Sequence, residues 1–247
     1  MSDKTKAAAK SKGGFFDTVK TILIAVAIAL VIRTVAYEPF SIPSGSMKPT
    51  LQVGDYLFVS KFAYGYSRFS MPFSPPVFDG RILADAPERG DVAVFKLPSD
   101  NSTDYIKRVI GLPGDRIQVR EGVLHINGEA VEREKVRTEG DGPTAETIYR
   151  ETLPNGHTHL IREMSDQAYY DNTRVFEVPE GHYFMMGDNR DASQDSRVLS
   201  KVGYVPFENL VGRASFIFFS YEESVALWEV WAWPTAVRFG RMFNDIV

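Results

Sequence analysis

The sequence contains no cysteine in its 247 residues. This absence excludes disulfide bonds, thiolate metal ligands and cysteine nucleophiles. It does not fix the cellular compartment, because a chain without cysteine tolerates either redox state. An excess of basic residues is also missing, since 28 Lys and Arg stand against 32 Asp and Glu, a net charge of −4. Nucleic-acid-binding proteins usually carry a basic face, so no nucleic-acid partner is expected.

Several familiar catalytic and metal-binding motifs are absent as well. Position 44 is not glycine, so Ser46 does not lie in a G-x-S-x-G elbow, and no serine stands three residues before Lys48 to form S-x-x-K. His157 and His159 have neither an HExxH pattern nor cysteine partners. The Asp-rich segment Gly187–Arg197 lacks the closing glutamate of a calcium loop. We therefore expect no metal and no cofactor.

Long hydrophobic runs are scarce. Thr21–Ile32 is uncharged over twelve residues, which is short of the roughly 20 that span a bilayer. From Phe15 to Tyr37 the segment is long enough if Lys20 and Arg33 extend toward the two interfaces. We predict a transmembrane anchor over residues 15–37, after a flexible cytoplasmic tail over residues 1–14.

Charge predicts the orientation of this anchor. Residues 1–33 carry a net charge of +4 and the remainder −8, which favours a cytoplasmic N-terminus and a C-terminal domain across the membrane. A cleaved secretory signal, with Thr34–Ala36 as its small-residue cleavage site, and a buried core helix are the alternatives. The later apolar stretch Val225–Trp233 contains Glu229 and ends at Pro234, so it is at most interfacial.

The rest of the chain alternates apolar and polar residues with a period of two, which is typical of strands. Asn127–Gly128 predicts a hairpin turn, and Gly65–Arg89 a loop or extended hairpin. We predict a mostly β fold, in which an antiparallel β body (38–119 and 181–247) carries a small β-rich insertion (120–180) and follows one transmembrane helix. The predicted strands are Tyr56–Phe62, Val92–Leu97, Tyr105–Ile110, Ile117–Val119, Val123–Ile126, Tyr183–Met186 and Ser215–Tyr221.

One serine is presented by an unusual turn. In Phe40–Leu51 (FSIPSGSMKPTL), Gly45 permits an uncommon backbone angle and prolines stiffen both sides of Ser46. Such clusters are usually ordinary turns, and a serine nucleophile also needs a base. No histidine lies in a catalytic motif, so the remaining candidate base is a lysine.

Lys107 is that candidate. Strand alternation puts it on the same face as Tyr105 and Val109, a setting that suits a desolvated amine. The strand pattern alone equally fits an amphipathic lysine at a strand edge. A third segment, Gly187–Arg197 (GDNRDASQDSR), is dense in donors and acceptors directly after an apolar strand. It is either a surface loop or a hydrogen-bond network that holds a neighbouring segment in place.

Together these segments resemble the bacterial type I signal peptidases, which use a Ser/Lys dyad. The resemblance follows the order of the family's motifs, with the membrane segment just before the serine. It implies that Ser46 is the nucleophile and Lys107 the general base. The matching segments are PSGSMKPTL (43–51), GDYLFV (54–59), RGDVAVFK (89–96), YIKRVIGLPGD (105–115) and GDNRDASQDSR (187–197).

The same resemblance assigns the supporting residues. Ser44 and the Ser46 N–H match the oxyanion hole, and Ser193 matches a serine that hydrogen-bonds the lysine. Supporting polar positions are matched by Asp195, Arg197 and Arg108. Shallow pockets for the substrate are implied at Phe40, Ile42, Met47, Leu51, Val94, Tyr105 and Ile106. The sequence departs from the family at Ala192, often Asn there, and in a longer link over residues 198–203.

The implied activity is removal of N-terminal signal peptides from exported preproteins by cleavage after Ala-x-Ala. The implied location is the bacterial inner (plasma) membrane, which the protein crosses once, with its catalytic domain on the outer or periplasmic face. Ser46 lies ten residues past Ala36, so the site is expected near the membrane surface. The implied partners are signal peptides, membrane lipid and, as a further candidate, the export translocon. The aromatic residues expected at the lipid interface are Phe69, Phe73, Phe78, Trp228, Trp231 and Trp233.

Two alternatives remain. A related Ser/Lys self-cleaving repressor protease would need a DNA-binding head where this chain has its apolar segment. A non-catalytic, membrane-tethered peptide-binding β module is favoured only by Ala192.

Overall fold

One long helix precedes the strands in the computed structural model, which describes residues 14–71, 74–76, 78–142, 145–222, 231 and 233–247. Helix α1 (Phe15–Val35) has 21 residues and is about 31 Å long, close to the hydrocarbon thickness of a bilayer. None of its side chains is buried in the protein, and the mean hydropathy of its most apolar window is 2.2. By length and composition α1 is suited to cross a membrane.

The strands that follow form an antiparallel, mostly β body, as predicted. Their bounds are β1 (Tyr37–Ser41), β2 (Asp55–Ser60), β3 (Val92–Lys96), β4 (Asp104–Gly111), β5 (Arg116–Arg120), β6 (Val123–Ile126), β7 (Glu129–Ala130), β8 (Glu132–Glu139), β9 (Glu146–Thr152), β10 (Thr158–Glu163), β11 (Phe176–Glu177), β12 (His182–Met186), β13 (Val205–Pro206) and β14 (Leu210–Ser220). A short helix, α2 (Trp233–Ala236), lies near the C-terminus.

The largest sheet has seven strands in the order β1-β2-β14-β3-β4-β12-β13. Every second side chain of a strand faces the same side, and in this sheet that side is buried. Leu57 and Val59 of β2 pack with Val92 and Val94 of β3 and with Ile217 of β14. Burial of this apolar surface stabilises the sheet and fixes the strand registers on which the site depends.

The opposite face of the central strands is covered too. Ala93 and Phe95 of β3 belong to a second buried cluster with Val109 of β4 and Met185 of β12. Strand β4 therefore lies between two layers of apolar side chains. A polar side chain on this strand is far from bulk water unless it points toward an opening.

All seven predicted strands are found; β6 has the predicted bounds, and the other six have shifted ends. The largest shift is in β14, which begins at Leu210 instead of Ser215. Its first residues include Gly212, which interrupts the alternating pattern. A side chain there would lie 2.4 Å from the carbonyl oxygen of Ser60, so glycine permits the close approach to the neighbouring strand that begins β14 early. Helix α1 ends two residues before the end of the segment predicted as the anchor (15–37), because it stops at Val35 and Tyr37 already pairs with Ser60 in the sheet.

Two smaller sheets follow β4 in the chain. One has four strands in the order β11-β5-β6-β7, and the other has three in the order β10-β9-β8. The predicted hairpin turn is present between β6 and β7, where Asn127 and Gly128 have φ angles of +57° and +90°, the left-handed values of a tight turn. Strand β5 pairs with β6 from Arg120 back to Ile117. The division into a body and an insertion over residues 120–180 stays a prediction.

The aromatic residues expected at the lipid interface differ in how far they are exposed. Phe69 is 5% exposed and packs in the core beside β2 and β3, so that expectation was wrong. Its short turn (Arg68–Ser70) folds inward through a Ser67 cap on the Phe69 N–H. Trp231 and Trp233 are exposed, Phe78 is half-buried, and Phe73 and Trp228 lie outside the described residues.

Candidate active site

A single turn of 3₁₀ helix, Gly45–Met47, presents Ser46. Met47 and Leu51 are completely buried in the core on one side of this turn. Because the turn is anchored by these two apolar side chains, the Ser46 hydroxyl is directed to the other side, toward β4.

Lys107 of β4 faces this hydroxyl. Its Nζ lies 2.8 Å from Ser46 Oγ and 2.8 Å from the carbonyl oxygen of Ile106. The side chain is buried, with only 3% exposure, and Nζ lies 5.3 Å from the centre of the Tyr105 ring. Strand alternation predicts Tyr105 on the same face as Lys107, and the structure places the two side chains in contact.

Burial changes the acidity of this amine. It lowers the pKa of Lys107 from 10.5 to about 8, although the charges of Asp195 and Asp188 act in the opposite direction. The neutral form is thus favoured by about 3 kcal/mol relative to a lysine in water. At pH 7 roughly one molecule in ten then carries a neutral amine, compared with about one in 3,000 for an exposed lysine.

Ser44 lies on the open side of the serine. Its Oγ is 3.3 Å from Ser46 Oγ, and either hydroxyl can donate. A donor at this distance from the nucleophile lies near the position that the oxygen of an attacked carbonyl would occupy.

Asp188 and Asn189 hold the serine turn from behind. The Asn189 side chain donates to Gly45 O at 3.1 Å, and the Asn189 N–H donates to Ser46 O at 3.1 Å. Asp188 accepts a 2.6 Å hydrogen bond from the hydroxyl of Thr50, four residues after the serine. The segment 187–197 therefore acts as a network that holds its neighbour in place, as one of the two sequence interpretations proposed.

Arg108 connects the same network to β4. Its guanidinium donates to both carboxylate oxygens of Asp188, at 2.8 and 2.7 Å, with exposures of 0% and 1%. The attraction to Arg108 keeps the pKa of Asp188 below its usual value, even though burial acts to raise it. Arg108 therefore points away from Lys107, as the alternation of β4 predicts, and ties the lysine-bearing strand to the loop behind Ser46.

Asp195 and Arg197 brace the same loop from its far end. Arg197 donates to both carboxylate oxygens of Asp195, at 2.9 and 2.8 Å, and to the carbonyl oxygen of Arg190 at 2.6 Å. The Gly187 N–H donates to Asp195 at 3.0 Å. Each end of the loop is thus fixed by a buried charge-assisted contact.

Ser193 occupies a different position from the one expected. Its Oγ is buried and makes no hydrogen bond to Lys107 within the described residues. The Lys107 amine donates to Ser46 Oγ and to the Ile106 carbonyl oxygen. Ser193 packs against Gly187, where a Cβ atom would lie 2.2 Å from Ser193 Oγ and 2.5 Å from Ser46 O. The expected hydrogen bond from Ser193 to the lysine is therefore not formed, and Gly187 is needed for this close packing.

An open groove with a volume of about 670 Å³ runs past the two candidate catalytic side chains. Five of the seven predicted pocket residues line it. Met47 and Leu51 do not, since both are completely buried behind the serine turn. The groove is lined by Pro39, Phe40, Ser41, Ile42, Pro43, Ser44, Ser46, Val94, Thr103, Asp104, Tyr105, Ile106, Lys107, Ala192 and Gln194.

His157 and His159, which lie in no metal-binding motif of the sequence, have other neighbours. His157 Nε2 lies 3.3 Å from an Arg108 nitrogen, and His159 Nε2 lies 3.4 Å from Glu151. Burial, together with the Arg108 charge, lowers the pKa of both histidines. Within the described ranges, no group of three or more His, Cys, Asp or Glu residues is placed to share a metal ion.

Sequence reasoning missed four residues of this network: Thr50, Asp188, Asn189 and Arg190. Arg190 forms a buried bidentate pair with Glu151 of β9, at 2.9 and 2.5 Å. All but Thr50 belong to the polar segment that the sequence singled out, but composition does not tell which donor meets which acceptor. Their partners lie 39 to 144 positions away in the chain.

Comparison with known proteins gives the family of this chain. The family described as signal peptidase, peptidase S26, matches residues 15–219. Signal peptidase I of Rickettsia typhi is 44% identical, with 90% of each chain covered, and that of Rickettsia conorii is 42% identical, with 100% of this chain and 98% of the relative covered. A solved signal peptidase I from Enterococcus faecalis V583 is 27% identical and covers 52% of this chain and 97% of its own, but at a TM-score of 0.32 its fold carries no weight. On the family match and these relatives, the chain belongs to the signal peptidase family, peptidase S26, and is a signal peptidase I that removes signal peptides.

Proposed function

We propose that the protein cuts preproteins with Ser46 as nucleophile and Lys107 as general base. The observation that carries this proposal is the 2.8 Å contact between Lys107 Nζ and Ser46 Oγ, made by an amine whose pKa burial lowers to about 8. A general base must lie within hydrogen-bond reach of the proton it takes and must be uncharged near the working pH.

The reaction follows from these two groups. The neutral Lys107 amine takes the Ser46 proton while Oγ forms a bond to the carbonyl carbon of the scissile peptide. The ammonium then gives that proton to the leaving amine as the carbon–nitrogen bond breaks, which leaves an ester on Ser46. A water molecule that gives its proton to the same amine hydrolyses the ester and restores the serine.

The Ser44 hydroxyl and the Ser46 N–H supply the oxyanion hole in this proposal. A donor that meets the oxyanion only in the transition state lowers kcat when removed, with little change in KM. Ser44→Ala is expected to lower kcat about 100-fold, measured with a purified preprotein at saturating concentration. An unchanged kcat, or a KM that rises by the same factor by which kcat falls, would contradict the assignment.

The pH dependence of cleavage follows from the lowered pKa of Lys107. Because the neutral amine is the active form, kcat/KM is expected to fall tenfold for each pH unit below about 8 and to level off above it. Initial rates between pH 5.5 and 10 test this. A rate that still rises tenfold per unit up to pH 10 would mean that the lysine titrates as in water.

The groove fits an extended peptide with small side chains near the cut. β1 is an edge strand of the large sheet, and β4 pairs with β12 only from Arg108 onward, so residues 104–107 keep one free edge. An extended chain laid between these two edges would run beside backbone that has no strand partner there among the described residues, although the Ile106 carbonyl already accepts from Lys107. Phe40, Ile42 and Val94 make the nearby wall apolar and leave shallow space, which favours cleavage after Ala-x-Ala.

Membrane anchoring by α1, with the N-terminus in the cytoplasm and the β body outside, completes the proposal. Its support is the apolar 21-residue helix and the basic segment before it. Exposed aromatic side chains on the β body add lipid contact: Trp231, Phe239 and Phe243 are 74%, 65% and 73% exposed. Aromatic rings are favoured at the membrane–water interface.

The test of the proposed function compares single-atom changes at two serines. Purified Ser46→Ala protein is expected to leave a preprotein intact, whereas Ser99→Ala, at an exposed serine outside the groove, cleaves at the wild-type rate. Cleavage by Ser46→Ala would remove the nucleophile assignment. Wild-type protein that binds the preprotein without cutting it would instead support the non-catalytic peptide-binding module.

A further inference from the structure

The joint between α1 and the β body is short and held by hydrogen bonds. Ala36 is the one residue between the helix and β1, and its carbonyl oxygen accepts from the Lys61 N–H at 3.0 Å. The Tyr66 hydroxyl donates to the carbonyl oxygen of Val35 at 2.5 Å. This bond satisfies one of the carbonyl groups that a helix C-terminus leaves unpaired. The helix therefore passes into the sheet without a flexible linker.

Glu38 is the centre of a three-residue ion-pair group at this joint. One carboxylate oxygen accepts from Arg33 in the last turn of α1 at 2.7 Å, and the other lies 2.8 Å from Lys61 of the β body. Lys61 is 1% exposed and Glu38 16%. Burial acts to raise the pKa of Glu38, but the hydrogen bonds from Lys61 and Arg33 hold it below its ordinary value, so the carboxylate stays charged.

The path from this joint to the nucleophile is rigid as well. β1 pairs with β2 along its whole length, from Tyr37 opposite Ser60 to Ser41 opposite Tyr56. Ile42 continues the pairing through its N–H to Asp55 O at 2.9 Å. The serine turn follows directly. Ten residues, at most about 35 Å of chain, therefore connect the end of the helix to Ser46 with no unpaired segment in β1.

We propose that the Arg33–Glu38–Lys61 group holds Ser46 at a fixed height above the membrane and thereby selects which of two chemically equal sites in a preprotein is cut. This inference rests on the proposed function, namely anchoring by α1 and cleavage after small residues. The apolar segment of a signal peptide lies in the bilayer, so the number of residues between its end and the cut measures distance from the lipid. A rigid joint accepts one distance, whereas a loose joint accepts several. Glu38 is accordingly a positioning residue.

The experiment uses the full-length protein in vesicles of phosphatidylethanolamine and phosphatidylglycerol. The substrate is a preprotein with two identical Ala-x-Ala sites four residues apart, and mass spectrometry of the products gives the cleavage ratio. Wild-type protein is expected to favour one site at least tenfold, and Glu38→Ala to lower this ratio at least threefold. Cleavage of a short soluble peptide is expected to stay within twofold. Glu134→Ala, which breaks an exposed ion pair with Arg150, is the matched control and keeps the wild-type ratio.

The outcomes separate the two proposals. If Glu38→Ala lowers both products by the same factor, its role is merely structural and the inference is overturned. Tyr66→Phe, which removes only the bond to Val35, is expected to shift the ratio in the same direction by a smaller factor. Should Glu38→Ala fail to fold, an unchanged ratio in Tyr66→Phe overturns the inference. If wild-type protein cuts neither site, or Ser46→Ala cuts both, the proposed function fails instead.

Discussion

Lys107→Met is expected to abolish cleavage, with kcat/KM lower by at least about 10⁴-fold. Groups that act as a unit lose nearly the whole catalytic effect when one of them is removed, and methionine has a similar shape but no basic nitrogen. Lys107→Arg should fail as well, because a guanidinium stays protonated at any accessible pH. Lys201→Met, at an exposed lysine outside the groove, is the matched control and should keep wild-type activity.

Lys107→Met is also expected to stabilise the fold. A lysine 3% exposed, with its pKa lowered to about 8, is destabilising while it is charged, so replacing it by an apolar side chain should raise the free energy of unfolding by about 1–3 kcal/mol at pH 7. Between pH 8 and 10.5 the unfolded chain binds more protons than the folded one, so stability of the wild type rises with pH there. The gain from Lys107→Met should shrink over that range. Thermal unfolding in detergent at pH 7 and 10 measures both effects, and a variant less stable than wild type at pH 7 would contradict the account.

Asp188→Ala is expected to destabilise the protein by about 3–5 kcal/mol, because it leaves the buried Arg108 guanidinium without a counter-charge, although its bonds to the carbonyl oxygens of Gly90 and Val247 remain. Asp188 also accepts from Thr50, so the serine turn should loosen and kcat fall. Denaturant unfolding and preprotein cleavage are the measurements. Because the pKa of Asp188 is lowered in the folded protein, its contribution is present at neutral pH and is lost as acid protonates the carboxylate.

Two variants control this prediction. Glu134→Ala breaks an exposed ion pair and should cost less than about 1 kcal/mol. The double variant Arg108→Met with Asp188→Leu removes both charges and should recover most of the stability lost in Asp188→Ala, since no charge is left unpaired. A double variant as unstable as the single one would show that the ion pair is not the cause.

Much of the fold was predictable because the relevant signals are local. An apolar run of helical length predicted α1. The alternation of apolar and polar residues predicted the strands that carry Lys107 and the buried side chains beside it. The Asn127–Gly128 turn follows from two residues that tolerate positive φ. The prediction that Lys107 shares a face with Tyr105 needed only the period of a strand, and the ring contact confirms it.

The features that could not be predicted from the sequence depend on contacts between residues far apart in the chain. The early start of β14 follows from a backbone approach at Gly212 that no local pattern announces. Met47 and Leu51 were expected in the groove but lie in the core, because the direction of a 3₁₀ turn decides which side chains face inward. Asp188 was part of a recognised polar segment, but its pairing with Arg108 spans 80 residues. Which charged residues pair in this way can be determined only once the register of the strands is known.

The most direct test of the account is the ionisation of Lys107 in the folded enzyme. NMR of Ser46→Ala protein with ¹³C-labelled lysine, and with Lys107→Met protein to identify the signal by its loss, gives the titration midpoint of this one amine. We predict a midpoint near pH 8. A midpoint near 10.5, the value of a lysine in water, would mean that residue 107 is charged at the working pH and does not take the proton of Ser46.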